Sequence, residues 1–211
     1  ALDHHQPARV PLDLGGSVLT GMHVSSVYRL RQALRLDPPG SPVKVIDSYQ
    51  MLGGVAADLV EAVGADLLPV PNPNSMFGFP NTGWRPWQLF DGTPVLVPAG
   101  FNTEPDPSGD LLMYPEGDRS APPSARMPRG GYYFDGIVRQ PPLEESRLDP
   151  ADNCEEFTPV AEEVVRHYAR EAERLQQTSD KAQFAGFCFS SFGDIALVPA
   201  PFLKHPKGIR D

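Results

Sequence analysis

The sequence predicts an α/β fold with parallel strands. Two patterns carry this. Short apolar runs alternate with amphipathic stretches in the order strand, helix, strand, helix, strand, the arrangement that stacks helices on a parallel sheet through right-handed crossovers. The last run, "KAQFAGFCFSS" from Lys181, lacks the polar alternation of a sheet with one wet face, as strands covered on both sides do. Between these units lies a third feature, residues 89–136, which alternates like a β-hairpin and then turns rich in Pro, Ser and Arg.

The elements follow in chain order. "ARVPLDLGG" predicts a buried strand over residues 9–14, stopped by Gly15 and Gly16. In "VSSVYRLRQALRL", Val24, Val27, Leu30 and Leu34 recur at helical spacing, and Asp37-Pro38-Pro39-Gly40 ends the helix. "VKVID" is a short β-like run over residues 43–47. "VAADLVEAVG" places Val55, Leu59 and Val63 on one face, with Gly64 suited to the left-handed residue that closes a helix. "ADLLPV" reads as the second buried strand. The strongest helix prediction is "FTPVAEEVVRHYAREAERLQQTSD". Thr158 is placed as N-cap and Pro159 at the first helical position. Glu162 and Glu163 favour the positive end of its dipole, and Val164, Tyr168, Ala172 and Leu175 form the inner stripe.

The central stretch predicts antiparallel pairing of "GTPVLVPAG" with "DLLMYPEGD" around "NTEPDPSGD". The expected picture is a hairpin projecting between the second and third strands. "RSAPPSARMPRGGYYFD" returns the chain across the site, with Tyr132, Tyr133 and Phe134 as an apolar lid. Arg119 and Arg126 would face either solvent or an anionic substrate.

Bulk properties exclude several classes. With 18 Lys and Arg against 27 Asp and Glu, the net charge is −9, wrong for neutralising phosphates, so nucleic acid is not expected as a partner. The two cysteines, Cys154 and Cys188, match no zinc or redox spacing and suit a reducing compartment. No apolar run is long enough for a membrane span and no signal peptide is visible. A small-molecule substrate and a cytoplasmic location are expected. The ends, "ALDHHQPARVP" without an initiator Met and "PFLKHPKGIRD" on a polar loop, read as those of a fragment.

Ligands of parallel α/β folds meet the carboxyl ends of the strands. After the first strand these ends offer Asp13, Ser17 and His23. Asn72 follows the second strand, Asn102 lies in the central stretch, and Ser190 and Asp194 follow the third. Four of them have a structural alternative: Asp13 as acceptor for the Gly15-Gly16 turn, His23 as a helix-start residue, Asn72 as turn chemistry between prolines, and Ser190 as a cap. The spacing assigns no catalytic residue, no Ser-His-Asp set and no metal ligands.

Several segments resemble the amino-terminal half of the uroporphyrinogen decarboxylase superfamily. They are "QPARVPLDLGG", "GMHVSSVYRLRQALRL", "VIDSYQMLG", "LFDGTPVLVPAGFN", "GDLLMYPEGDRSAPPSARMPRGGYYFD" and "FGDIALVPAPFLKHPKGIRD". The likeness is greatest to its corrinoid-linked methyltransferase branch and runs along essentially the whole chain. It implies a partial TIM-type (β/α)8 barrel, with residues 1–211 as one domain forming the amino-terminal part and residues 89–136 as an inserted β-hairpin and Pro-rich loop. It implies methyl transfer between a corrinoid protein and a thiol, methoxy or methylamine-type substrate. The alternatives are a decarboxylase acting on a porphyrinogen and a non-catalytic half-barrel. Zinc and a cobalamin-type corrinoid protein are implied for the full-length family, with no cofactor held within this chain. In the methyltransferases zinc is held by a His-x-Cys pair and a later Cys. Neither Cys154 nor Cys188 has a His two residues before it, and the family carries those ligands in the other half. The decarboxylase pattern departs more: where its first strand ends in an arginine-bearing Arg-Gln-Ala-Gly-Arg, this chain has "DLGGSVLTG". Where its Asp follows the second strand, this chain has "LLPVPNPNS". Its later Tyr falls near Leu197. A homodimer, or pairing with the missing half-barrel, would cover the open strand edges.

Overall fold

The computed structural model of the protein describes residues 4–139, 142, 144–147, 149–151, 159–186 and 199–206. Three helices and nine short strands are present among them: α1 (Val24–Ala33), β1 (Val43–Asp47), β2 (Leu52–Gly53), α2 (Ala57–Val63), β3 (Leu67–Pro69), β4 (Arg85–Gln88), β5 (Pro94–Val97), β6 (Leu111–Met113), β7 (Ala125–Met127), β8 (Asp135–Gly136), α3 (Glu162–Thr178) and β9 (Ala182–Phe184). The architecture is mixed α/β with open sheets. β2-β1-β5-β4 form one sheet, β3 and β9 a second, and β6-β7-β8 a third.

The helices form where periodicity places them. α1 buries Val24 and Val27 completely, while Leu34 stands 40% exposed beyond the helix end. Arg31 takes the inward position instead, with its guanidinium between two carboxylates. Nε and Nη2 donate to Asp37 at 2.5 and 2.8 Å, and Nη1 and Nη2 donate to Asp58 at 2.9 and 2.7 Å. α2 packs through Leu59 and Val60 and ends at Gly64, whose φ of 70° is the left-handed conformation expected there. α3 begins at Glu162 after Ala161, three positions beyond Pro159; Thr158 lies outside the described residues. Of its expected inner stripe, Leu175 is buried and Tyr168 and Ala172 pack against the core, while Val164 is only partly buried.

Among the described residues, parallel pairing occurs twice. β3 runs beside β9 in the register Leu67↔Ala182 to Pro69↔Phe184, and β1 runs beside β5. The expected strand over residues 9–14 does not form. Val10 and Leu12 are 85% and 44% exposed. Asp66 explains this: its Oδ2 accepts from the Leu12 amide at 2.8 Å and its Oδ1 from Arg9 at 2.6 Å. Pro11 has no amide to offer, so the backbone contact with β3's lead-in is a single bond, Asp66 N to Leu12 O, at 2.8 Å.

The expected pairing within the central stretch is also replaced. β5 pairs antiparallel with β4, Arg85↔Val97 to Gln88↔Pro94, and not with β6. β6 pairs with β7, and β7 with β8. The turn before β5 carries the reason. The Leu89 amide donates to Thr93 O at 3.0 Å across Phe90-Asp91-Gly92, and Gly92 sits at φ 83°. This is the tight loop that Asp-Gly favours. The stretch does not project, either. Phe101, Leu111, Met113, Ala125, Met127 and Phe134 are buried in the same core as Val45 and Val95. Phe77 stacks on Phe79 and meets Phe134 edge-on at 5.9 Å, and Phe101 meets Phe134 at 6.1 Å.

Candidate functional site

A cavity of about 580 Å3 opens where the chain leaves the carboxyl end of β1 and where α1 begins. Local hydrogen bonding builds its floor. The buried Asp47 carboxylate accepts from the Tyr49 and Gln50 amides at 3.1 and 2.7 Å, turning the chain so that both side chains line the cavity. Burial pushes the Asp47 carboxyl up, against the downward pull of those two bonds. Tyr49 ties the turn to β8: its carbonyl accepts from Phe134 N at 2.8 Å and its hydroxyl from Gly136 N at 3.0 Å.

His23 forms one wall. It is the N-cap of α1, and its Nδ1 accepts from the Ser25 amide at 3.3 Å. Nε2 lies 2.8 Å from the Tyr132 carbonyl, and Nδ1 lies 2.8 Å from Ser25 Oγ. A carbonyl only accepts, so Nε2 carries the proton and Nδ1 takes the Ser25 hydroxyl proton as a hydrogen bond. Burial lowers the imidazole below its usual value, more than the Tyr132 bond and Asp91 raise it. The ring is therefore neutral at neutral pH. Tyr132 crosses the imidazole edge-on at 5.4 Å. Tyr132 and Tyr133, each more than half exposed, form the rim, and Phe134 is buried beneath. Of the expected aromatic lid, two rings thus stand at the cavity and the third belongs to the core. Arg29 and Asp135 supply the charge at the edge, with Arg29 already 3.1 Å from Asp91.

The structure places the sequence-derived candidates as follows. His23 lines the cavity. Asp13 accepts from Gly16 N at 2.8 Å and from the Thr20 hydroxyl at 2.9 Å, organising its own turn. Ser17 accepts from Leu19 N at 3.2 Å in the same loop. Asn72 accepts from the Tyr168 hydroxyl at 2.7 Å, linking the end of β3 to α3. Asn102 donates to Gly117 O at 3.1 Å. Ser190 and Asp194 lie outside the described residues, as do Cys154, Cys188 and Leu197. Arg126 is paired with Asp110, and Arg119 lies 3.4 Å from Glu104 and over the Tyr114 ring, so neither faces the cavity. Sequence reasoning missed Ser25, Tyr49 and Gln50. The signal for the last two was present: they follow "VKVID" just after Ser48, and the residues after a parallel strand are those a ligand meets.

No family model, curated protein or solved structure matches the chain. Among the described residues, no group of three or more His, Cys, Asp or Glu side chains is placed to hold a metal ion. No described helix is long and apolar enough to cross a membrane.

Proposed function

We propose that the protein is the amino-terminal part of a barrel enzyme of the uroporphyrinogen decarboxylase type, in its corrinoid-linked methyltransferase branch, and that the cavity beside His23 receives the small-molecule substrate. The observation that carries the reading is the cavity's position at the carboxyl end of β1, a strand in parallel pairing with β5. Ligands of barrels and open parallel sheets bind at such strand ends. The α3–β9 unit, parallel to β3, supports the barrel reading in the same way.

The walls favour a small, largely uncharged substrate. Tyr132 and Tyr133 give it an apolar rim, and Gln50 offers hydrogen bonds without charge beside the neutral His23, whose ring nitrogens are held by Tyr132 and Ser25. Porphyrinogen decarboxylation is less favoured, because a substrate with many carboxylates needs several cations. Arg29 is the guanidinium among the lining residues, and Asp91 already engages it. The described residues form no zinc site, so zinc enters the proposal only through the remainder of a full-length enzyme, where it would supply a thiolate acceptor.

The test is methyl transfer by the full-length protein between a methylated corrinoid protein and a thiol, with zinc content measured alongside. Transfer that requires both supports the reading. Full-length protein that binds no zinc and moves no methyl group to a thiol overturns it.

A further inference from the structure

A second cavity, of about 140 Å3, lies beside Trp87, Leu89 and Met127. It shares two lining residues with the larger one, His23 and Tyr132. Their contact is therefore the partition between the two spaces. We infer that residues 130–133 form a hinged gate in this partition, latched by His23. The gate's role rests on the reading that the larger cavity receives the substrate, while its movement does not.

The hinge is local. Gly130 has φ 76°, in the left-handed region that glycine enters freely. A Cβ built there would meet nothing within 4 Å, so the chain has open space around this position. Gly131 N donates to Pro128 O at 2.7 Å, and a Cβ on Gly131 would lie 2.8 Å from that same oxygen. Only glycine closes this turn without displacing it.

Both ends of the gate are anchored. On one side Arg129 N donates to Oδ1 of the buried Asp110 at 2.7 Å. On the other, Phe134 is fully buried and its amide donates to Tyr49 O at 2.8 Å. Between the anchors the gate is held lightly. Among the described residues, one hydrogen bond reaches residues 130–133 from outside the loop, His23 Nε2 to the Tyr132 carbonyl at 2.8 Å. The edge-on contact of the same two rings at 5.4 Å accompanies it. The Tyr132 and Tyr133 rings stand 57% and 56% exposed. A segment with so few buried contacts opens at far lower cost than the core.

Opening lifts the Tyr132 carbonyl and ring off His23 and joins the two cavities. It also frees the Nε2 proton. A ligand in the larger cavity that presents an oxygen to Nε2–H takes the place of the Tyr132 carbonyl, so occupancy and opening are coupled. The ligand then reaches the recess walled by Trp87, Leu89 and Met127. Asp91 in that recess stays with Arg29 and Thr93.

The experiment is amide exchange, followed by NMR on the 211-residue chain with no ligand, zinc or corrinoid protein added. Its outcome is thus separate from that of the methyl-transfer assay. In the wild-type protein the Gly131 amide should exchange at least about 10-fold faster than those of Arg129 and Phe134. His23→Asn, which can still cap α1, removes the latch. It should speed Gly131 exchange about 2- to 13-fold further, the worth of one hydrogen bond. The Phe134 amide and the Val27 amide, which donates to His23 O at 3.1 Å, should keep their rates. Acrylamide quenching reports the joined cavities. In a Trp84→Phe background Trp87 is the single tryptophan, and His23→Asn should raise its quenching. Equal protection of Gly131 and Phe134 in the wild-type protein overturns the inference without recourse to any variant. So does a His23→Asn protein in which Gly131 exchange or Trp87 quenching is unchanged, or in which Phe134 accelerates as much as Gly131.

Discussion

Arg31→Met removes the guanidinium that joins α1 to α2 and to the segment after α1. The Arg31 side chain is only 11% exposed, and its two partners, Asp37 and Asp58, are 20% and 47% exposed. Breaking a buried ion pair costs about 3–5 kcal/mol, because the remaining charge is stranded. Here the freed carboxylates reach water, most easily at Asp58, so the expected loss is reduced to about 2–3 kcal/mol. For a chain of this length that lowers Tm by about 5–10 °C. Arg31→Lys keeps the charge but lacks the planar fork, and should lose part of this.

A second signature separates the network from generic packing. Hydrogen bonds from Arg31 hold the Asp37 and Asp58 carboxyls below their usual 3.8. Their contribution is therefore present above the unfolded value and is lost as pH falls through the lower folded values. The wild-type protein should lose stability along this acid limb, and the Met variant should show a flatter one. Urea denaturation across pH measures both. A loss below about 0.5 kcal/mol, or an acid limb unchanged in the variant, would refute the reasoning and rank the network with ordinary surface pairs.

Two further outcomes are expected. His23 is held below its usual 6.5 by burial, so its contribution is full above that pH and is lost as pH falls through the folded value. His23→Asn, which can still cap α1, should flatten the fall in stability as pH drops below 6.5, and an unchanged slope would remove His23 as its source. Gly100→Ala would bring a Cβ to 2.4 Å from Phe79 Cβ and 2.5 Å from its Cγ, so a loss of about 3 kcal/mol is expected by chemical denaturation. A neutral substitution would mean that the Phe77–Phe79 stack yields readily.

The sequence by itself determined the helices and the strands that flank them. The 3.6-residue periodicity of residues 24–33, 57–63 and 162–178 is local, and each stripe needs only an apolar surface to bury against. The apolar runs that became β1 and β3 were legible as well; the run at Lys181 did yield β9, but not the buried strand expected there, since Phe184 is 41% exposed. So was the reach of Tyr132 and Tyr133 toward the site, from their place at the end of the returning loop. Tertiary structure decided the strand partners. "FDGT" held an Asp-Gly turn signal, yet only the register Gln88↔Pro94 shows that β5 turns back on β4 and leaves β6 to β7. Pairing depends on which faces are buried once distant segments meet, and no local pattern records that. The same holds at residues 9–14, where one carboxylate, Asp66, takes the amide a ladder would have used. It holds also at the candidate site. A histidine at position 23, a turn at 49–50 and a carbonyl at 132 became one cavity wall because the folded chain brings them within hydrogen-bonding distance. Sequence spacing across more than a hundred residues carries no such information.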